Sequence, residues 1–197
     1  MLLYFFRLSF KSKFKVSMNK FVLSILLIFS ITGCSSSVDV NSVYFKQFNF
    51  EKVNSYTMFD RNTGFRVDQN MTDFTRNQIE LAIDKSMLAK GFNYKETNAD
   101  ITVSYAIIGR SPGDFSAYNK AVRFCSPCLK SRTWVSTDKP WDISRGSLVI
   151  DLIDPVTKRT VWRNIFPLEI EVKDNSQEVN AKINQAVNVL LIKYPTK

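Results

Sequence analysis

Hydrophobic and polar positions repeat with two different periods along this chain, and each change of period marks a new element. Val43 to Phe50 is apolar and aromatic, and Ser55 to Phe59 follows with Tyr56 and Met58; both stretches predict short strands. A polar, turn-rich segment containing Asn62, Thr63 and Gly64 leads into a helix over about Thr72 to Lys90, with Phe74, Ile79, Ile83 and Met87 on one side at helical spacing. Gly91 stands where a helix stops, because glycine enters the left-handed cap without a Cβ clash. Ile101, Val103, Tyr105 and Ile107 then alternate with Asp100, Thr102 and Ser104, the pattern of a half-buried strand. Leu148, Ile150 and Leu152 alternate in the same way. A polar turn from Asp154 to Lys158 joins them to Val161 through Val172, where Trp162, Phe166, Leu168 and Ile170 share a face. These two strands predict a hairpin, with Pro167 marking an edge or a bulge. A last helix, about Ser176 to Tyr194, sets Val179, Ile183, Ala186, Val187, Leu190 and Tyr194 on one stripe before Pro195 ends it.

Two helices with one apolar stripe each, and strands with one apolar face each, predict an α+β fold. We expect a two-layer sandwich: a mostly antiparallel sheet covered on one face by two helices. The long segment between Ile108 and Gly146 leaves the sheet as a hairpin excursion. Its arms are Ala121 to Phe124 and Arg132 to Val135, and its tip carries Cys125 and Cys128. No internal repeat or second domain is visible, so residues 42–197 read as a single domain. A hydrophobic content of 45%, with 16 Phe, is enough for a real core.

The N-terminal segment changes the picture. From Met18 the chain reads Met-Asn-Lys, then an apolar run from Phe21 to Ile31, then Thr32, Gly33 and Cys34. This is the layout of an export signal: basic start, short apolar stretch, small residues at the cut. These eleven residues, nine of them apolar, make a helix of about 16 Å, roughly half the hydrocarbon core of a bilayer. Residues 1–33 therefore read as a signal peptide whose true start is Met18. Ile31-Thr32-Gly33-Cys34 resembles the lipobox of bacterial lipoproteins. The resemblance implies cleavage between Gly33 and Cys34, with lipid on Cys34. Residues 34–41 then form a short polar tether, and several acyl chains make a stable anchor. By the sorting rule of such lipoproteins, Ser35 after the cysteine implies the outer membrane, with the body facing the periplasm.

Charge must be divided at the same point. The net charge of +9 resembles a nucleic-acid signature, but Arg7, Lys11, Lys13, Lys15 and Lys20 all precede Cys34, where no acid stands. The mature body keeps 22 basic against 18 acidic residues, a net +4. That mild excess suits solubility or weak attraction to anionic lipid or polysaccharide, and does not support a nucleic-acid partner. Histidine is absent from the whole sequence, which excludes Ser-His-Asp and Cys-His catalysis and imidazole metal sites.

Several short runs share an order and spacing. They are Lys90-Gly91-Phe92, Ala99-Asp100-Ile101, Gly146 to Asp151, Asp154-Pro155, Val161-Trp162-Arg163 and Tyr194-Pro195. Together they resemble the bacterial lipoproteins grouped as domain of unknown function 4136, over roughly Asn41 to Pro195. The resemblance implies an envelope lipoprotein with an α/β fold and no established reaction, ligand or cofactor. Lys158 stands where that family commonly has glycine.

The sharpest chemical feature is the pair Cys125 and Cys128, the two cysteines left once Cys34 carries lipid. In an oxidising compartment such a pair forms a disulfide. A redox site would place the pair before a helix that lowers the first thiol's pKa, and a zinc site would have to recruit carboxylates. Strand-like flanks favour a structural clip over both. Around it, Tyr118, Trp134 and Trp141 interleave with Lys120, Arg123, Lys130 and Arg132, a mixture able to bind a glycan, a lipid head group or another envelope protein. Ser136 to Lys139 matches the nucleophile motif of penicillin-binding enzymes in letters only, with no Lys-Thr-Gly partner in the chain. Asp151, Glu169 and Glu171 read as the solvent face of strands. We expect a non-enzymatic, lipid-anchored binding or structural module with no catalytic residue, metal or cofactor. An enzyme using the thiol pair or exposed carboxylates is the alternative.

Overall fold

The computed structural model describes residues 42–62, 71–108, 112–135 and 146–195. The signal segment, Gly33, Cys34, the tether, Ser136 to Lys139 and Trp141 lie outside the described residues. In chain order the elements are β1 (Val43–Phe45), β2 (Ser55–Met58), α1 (Asp73–Ala89), β3 (Asn93–Tyr94), β4 (Ile101–Ile107), α2 (Pro112–Ala121), β5 (Trp134–Val135), β6 (Ser147–Asp154), β7 (Arg159–Pro167) and α3 (Ser176–Ile192). Short 3-10 turns at Phe50–Lys52 and Ser126–Lys130 complete them. The strands form one open sheet in the order β3-β2-β4-β6-β7-β1-β5. Its centre, β4-β6-β7, is antiparallel, as are the pairings of β1 with β7 and β5, while β2 runs parallel to β3 and β4.

Local chemistry explains where the helices begin and end. The Thr72 hydroxyl accepts from the Thr75 N–H at 3.2 Å and opens α1. Gly91, at φ +85°, closes it: Gly91 N–H donates to Leu88 O and Phe92 N–H to Met87 O, and Phe92 and Met87 both enter the core. At α3, Asn175 and Glu178 form a reciprocal capping box. Both helices cover one face of the sheet, where Ile79, Ile83, Ile183 and Val187 pack on Val103, Ile150 and Trp162. Phe74, read as part of that stripe, is exposed instead. Trp162 donates from Nε1 to Lys193 O and Asn164 from Nδ2 to Leu190 O, so the sheet satisfies carbonyls at the end of α3.

The α+β class, the mostly antiparallel sheet and the two helices on one face are as the sequence indicates. The other face differs. It is not open but covered by α2 and the disulfide turn, with Tyr118, Val122 and Phe124 over Val149, Ile153 and Ile165, and Trp134 of the edge strand β5 joins the same cluster. The excursion is therefore a packed third layer rather than a hairpin. Ala121 to Phe124, expected as a strand, ends a helix: Arg123 takes φ +50°, Arg123 N–H donates to Lys120 O and Phe124 N–H to Asn119 O. This Schellman closure, with arginine in place of glycine, turns Phe124 back onto the sheet. Only Trp134–Val135 of the expected second arm is a strand, and it pairs with β1.

The β6-β7 turn keeps the geometry that glycine usually supplies. Lys158 takes φ +58°, its N–H donates to Asp154 O at 2.8 Å, and the Asp154 carboxylate accepts from Val156 N–H and the Thr157 hydroxyl. At the start of β4 the Asp100 carboxylate accepts from Asn54 N–H, the Ser55 hydroxyl and Ser55 N–H at 2.8–3.0 Å. These bonds, the Asn54 amide first, hold its carboxyl below the usual carboxylate range. Stability from Asp100 is thus complete above the unfolded carboxyl value near 4 and is lost as pH falls through the lower folded value. We expect Asp100→Asn to lose about 1 kcal/mol at neutral pH, after allowance for solvent screening. Urea unfolding across pH 2–7 should show the difference from the parent vanishing at the acid end.

Candidate functional site

The strongest concentration of polar chemistry lies between the sheet and α2. Asp151 of β6 and Arg163 of β7 face each other directly across the ladder. Their alternation places both on the face that α2 covers, and both are fully buried. The guanidinium grips the carboxylate with two bonds of 2.8 Å, Nε to Oδ1 and Nη2 to Oδ2. Nη1 donates to Asn119 Oδ1 at 2.5 Å, and the Tyr118 hydroxyl donates to Asp151 Oδ2 at 2.5 Å. Phe124 closes the assembly, its ring centroid 3.6 Å from Arg163 Cζ. Burial, and then the Asp151 charge, push the Tyr118 phenol well above its ordinary value. Tyr118 accordingly stays a neutral donor at any physiological pH.

This arrangement corrects the reading of Asp151 as a solvent-facing carboxylate. β6 is covered on both faces, and the signal was available: Val149 and Ile153 flank Asp151 on the face taken as polar. Glu169 and Glu171 are exposed, but they lie beyond the end of β7 at Pro167. A related set pins α1 to the opposite face. Tyr105 donates to Glu80 at 2.5 Å, Tyr56 donates to Asp84, and Arg61 grips Glu80 while donating to Asn77 at 2.9 Å. Each set ties a helix to a sheet face through a tyrosine, a carboxylate and an arginine.

The residues expected to bind a partner divide by type. Tyr118 and Trp134 are buried, one in the ion-pair network and the other against Phe45 and Phe124. Lys120, Arg123, Lys130 and Arg132 are exposed. The two described aromatics of the predicted mixture are thus core, and its four basic residues are on the surface. Cys125 and Cys128 are bonded, with Cα atoms 5.2 Å apart, and Cys128 also joins the apolar cluster on that face. The 3-10 turn that follows Cys125 spans five residues only, too short to supply the helix N-terminus of a thioredoxin-like site. Thiol titration of the native body under denaturing, non-reducing conditions should find no free thiol, and two after reduction; one or more reactive thiols before reduction would contradict the clip.

A shallow cleft of about 210 Å3 lies between Phe50, Val53, Phe92, Lys90 and Tyr194, smaller than typical small-molecule sites of about 300–1,000 Å3. Among the described residues, no group of three or more His, Cys, Asp or Glu side chains could hold a metal ion. No helix among them is long and apolar enough to cross a membrane.

The pieces noted in the sequence now have places. Gly91 caps α1 at positive φ, Gly146 does the same before β6, and Trp162 and Asp151 are core. A family model described as a domain of unknown function, DUF4136, matches residues 40–196. The chain belongs to the DUF4136 family. The match spans every described element, including the α2 layer that the sequence pattern concealed. No curated protein matches the chain. Among solved structures it is similar to the PelC dodecamer from Paraburkholderia phytofirmans, at 12% identity over 77% of this chain and 97% of that one, with a TM-score of 0.39. It is also similar to a PDZ domain protein from Parabacteroides distasonis, at 12% identity over 90% of this chain and 40% of that one, with a TM-score of 0.46.

Proposed function

We propose that this DUF4136 chain is a lipid-anchored envelope lipoprotein whose body is a non-enzymatic binding module facing the periplasm. The observation that carries the non-enzymatic part is the closure of the Asp151-Arg163-Tyr118-Asn119 network. Groups well suited to acid-base or anion chemistry are spent on one another inside the core, where they hold α2 on the sheet. A general acid or base must come within hydrogen-bond reach of a substrate, and these buried groups face one another beneath the rings of Phe115 and Phe124. The anchoring part rests on the lipobox-like Ile31 to Cys34 and on the family reading in the sequence. Outer-membrane placement follows from Ser35 and is part of the same proposal.

Crosslinking in intact envelopes, followed by purification of the lipidated protein, tests the binding role. A specific envelope component should copurify, and its yield should fall when Lys130 and Arg132 are replaced. Recovery of nothing above background, or a yield indifferent to those residues, contradicts the module.

A further inference from the structure

Basic side chains gather at one end of the sheet on its β7-β1-β5 side. The register of β1 against β7 pairs Val43 with Arg163 and Tyr44 with Trp162, so the chain after Phe45 runs toward the first residues of β7. Lys46 N–H donates to Thr133 O, which sets Lys46 beside Arg132. Thr160 donates to Val122 O from both its N–H and its hydroxyl, which sets Arg159 beside Arg123. Lys158 and the exposed Val156 complete the β6-β7 turn at the same end. Lys46, Arg123, Arg132, Lys158 and Arg159 are all exposed, as is Lys130 in the disulfide turn. Residues 115–135 hold four basic groups and no acid. Asp154, the acid of the β6-β7 turn, directs its carboxylate into that turn.

Resting on the tethered reading above, we propose that this end of the body is a docking surface for anionic phospholipid head groups of the membrane that carries the anchor. Two facts select a membrane as occupant. Charge complementarity is one: basic groups near an anionic bilayer are attracted within about a Debye length. Chain length is the other. Eight residues lie between Cys34 and Val43, so the body is held within about 30 Å of the bilayer at full extension. The basic end lies a further three residues along β1, about 10 Å. A tether this short raises the effective concentration of surface and bilayer for each other, so individually weak contacts suffice. Val156, at the tip of the turn among these cations, can enter the head-group layer.

Vesicle cosedimentation of residues 38–197, which hold every described element of the fold, tests this without any acyl chain. The body should bind phosphatidylglycerol vesicles and leave phosphatidylcholine vesicles alone. Lys130→Gln, Arg132→Gln and Arg159→Gln combined should weaken binding at least about tenfold. Lys85→Gln, Lys173→Gln and Lys182→Gln combined, two of them beside Glu171 and Asp174 past the other end of β7, should leave it within about twofold, with circular dichroism showing both variants folded. Binding that is absent, equal on the two lipids, equally weakened by both variants, or abolished by millimolar inorganic phosphate overturns the proposal. Mass spectrometry of the mature protein reads the Cys34 lipid independently. A lipidated protein whose body ignores phosphatidylglycerol thus removes the docking surface and leaves the anchor standing.

Discussion

Replacement of Arg163 by methionine is expected to cost about 3–5 kcal/mol of folding stability. That is a large part of the roughly 5–15 kcal/mol available to a domain of ordinary size. Methionine fills much of the same volume, so the loss comes from what it leaves behind. Asp151 would stay buried without its bidentate partner, Asn119 would lose the donor that reaches it at 2.5 Å, and Phe124 would lose the cation over its ring. Guanidinium unfolding should show the drop with little change in slope. The triple change Asp151→Leu, Tyr118→Phe and Arg163→Met removes every charge together and should recover most of the loss, since no unpaired ion remains. A single change that cost under about 1 kcal/mol would mean that the network does not hold α2 on the sheet.

That network also shows where sequence reading succeeded and where it stopped. Elements with one exposed face were legible because periodicity records a boundary with water. The helices Asp73–Ala89 and Ser176–Ile192 lie within a residue or two of their expected limits, with the glycine cap at Gly91. Ile101–Ile107 was bounded by its alternation, although Ser104 and Ala106 on its second face, expected to be polar, are buried. A strand buried on both sides leaves no such record. Val149, Asp151 and Ile153 form a second buried row, which is visible only as a run of apolar residues interrupted by one acid. α2 was hidden for a different reason. Gly113 in its first turn is a poor helix former, and its short apolar set, Phe115, Tyr118 and Val122, reads equally well as aromatic decoration of a loop. The ion pair could not be read because cross-strand register, not sequence spacing, brings Asp151 to Arg163. Among the candidate partner-binding residues, Lys120, Arg123, Lys130 and Arg132 are exposed. Tyr118 and Trp134 are buried instead, in the cluster on a sheet face that the sequence had left open.

The second large effect concerns Cys34. Serine at that position removes the thiol to which a diacylglycerol would be attached, so processing and anchoring should fail together rather than in part. The body should be untouched, since its core begins with β1 at Val43 and its other two cysteines are already bonded to each other. The Cys34→Ser protein should therefore keep the thermal unfolding curve of the parent body while losing its place in the membrane fraction. It should also lose the vesicle affinity that acyl chains add, keeping only what the basic end of the sheet supplies.

The most direct test of a tethered body is therefore the chemistry of the mature N-terminus in cells. Intact mass and radiolabelled palmitate should show a chain beginning at Cys34 with lipid attached, and the Cys34→Ser variant should give neither label nor a band of mature size. A mature chain that forms without lipid, or one cut at another position, would contradict the account.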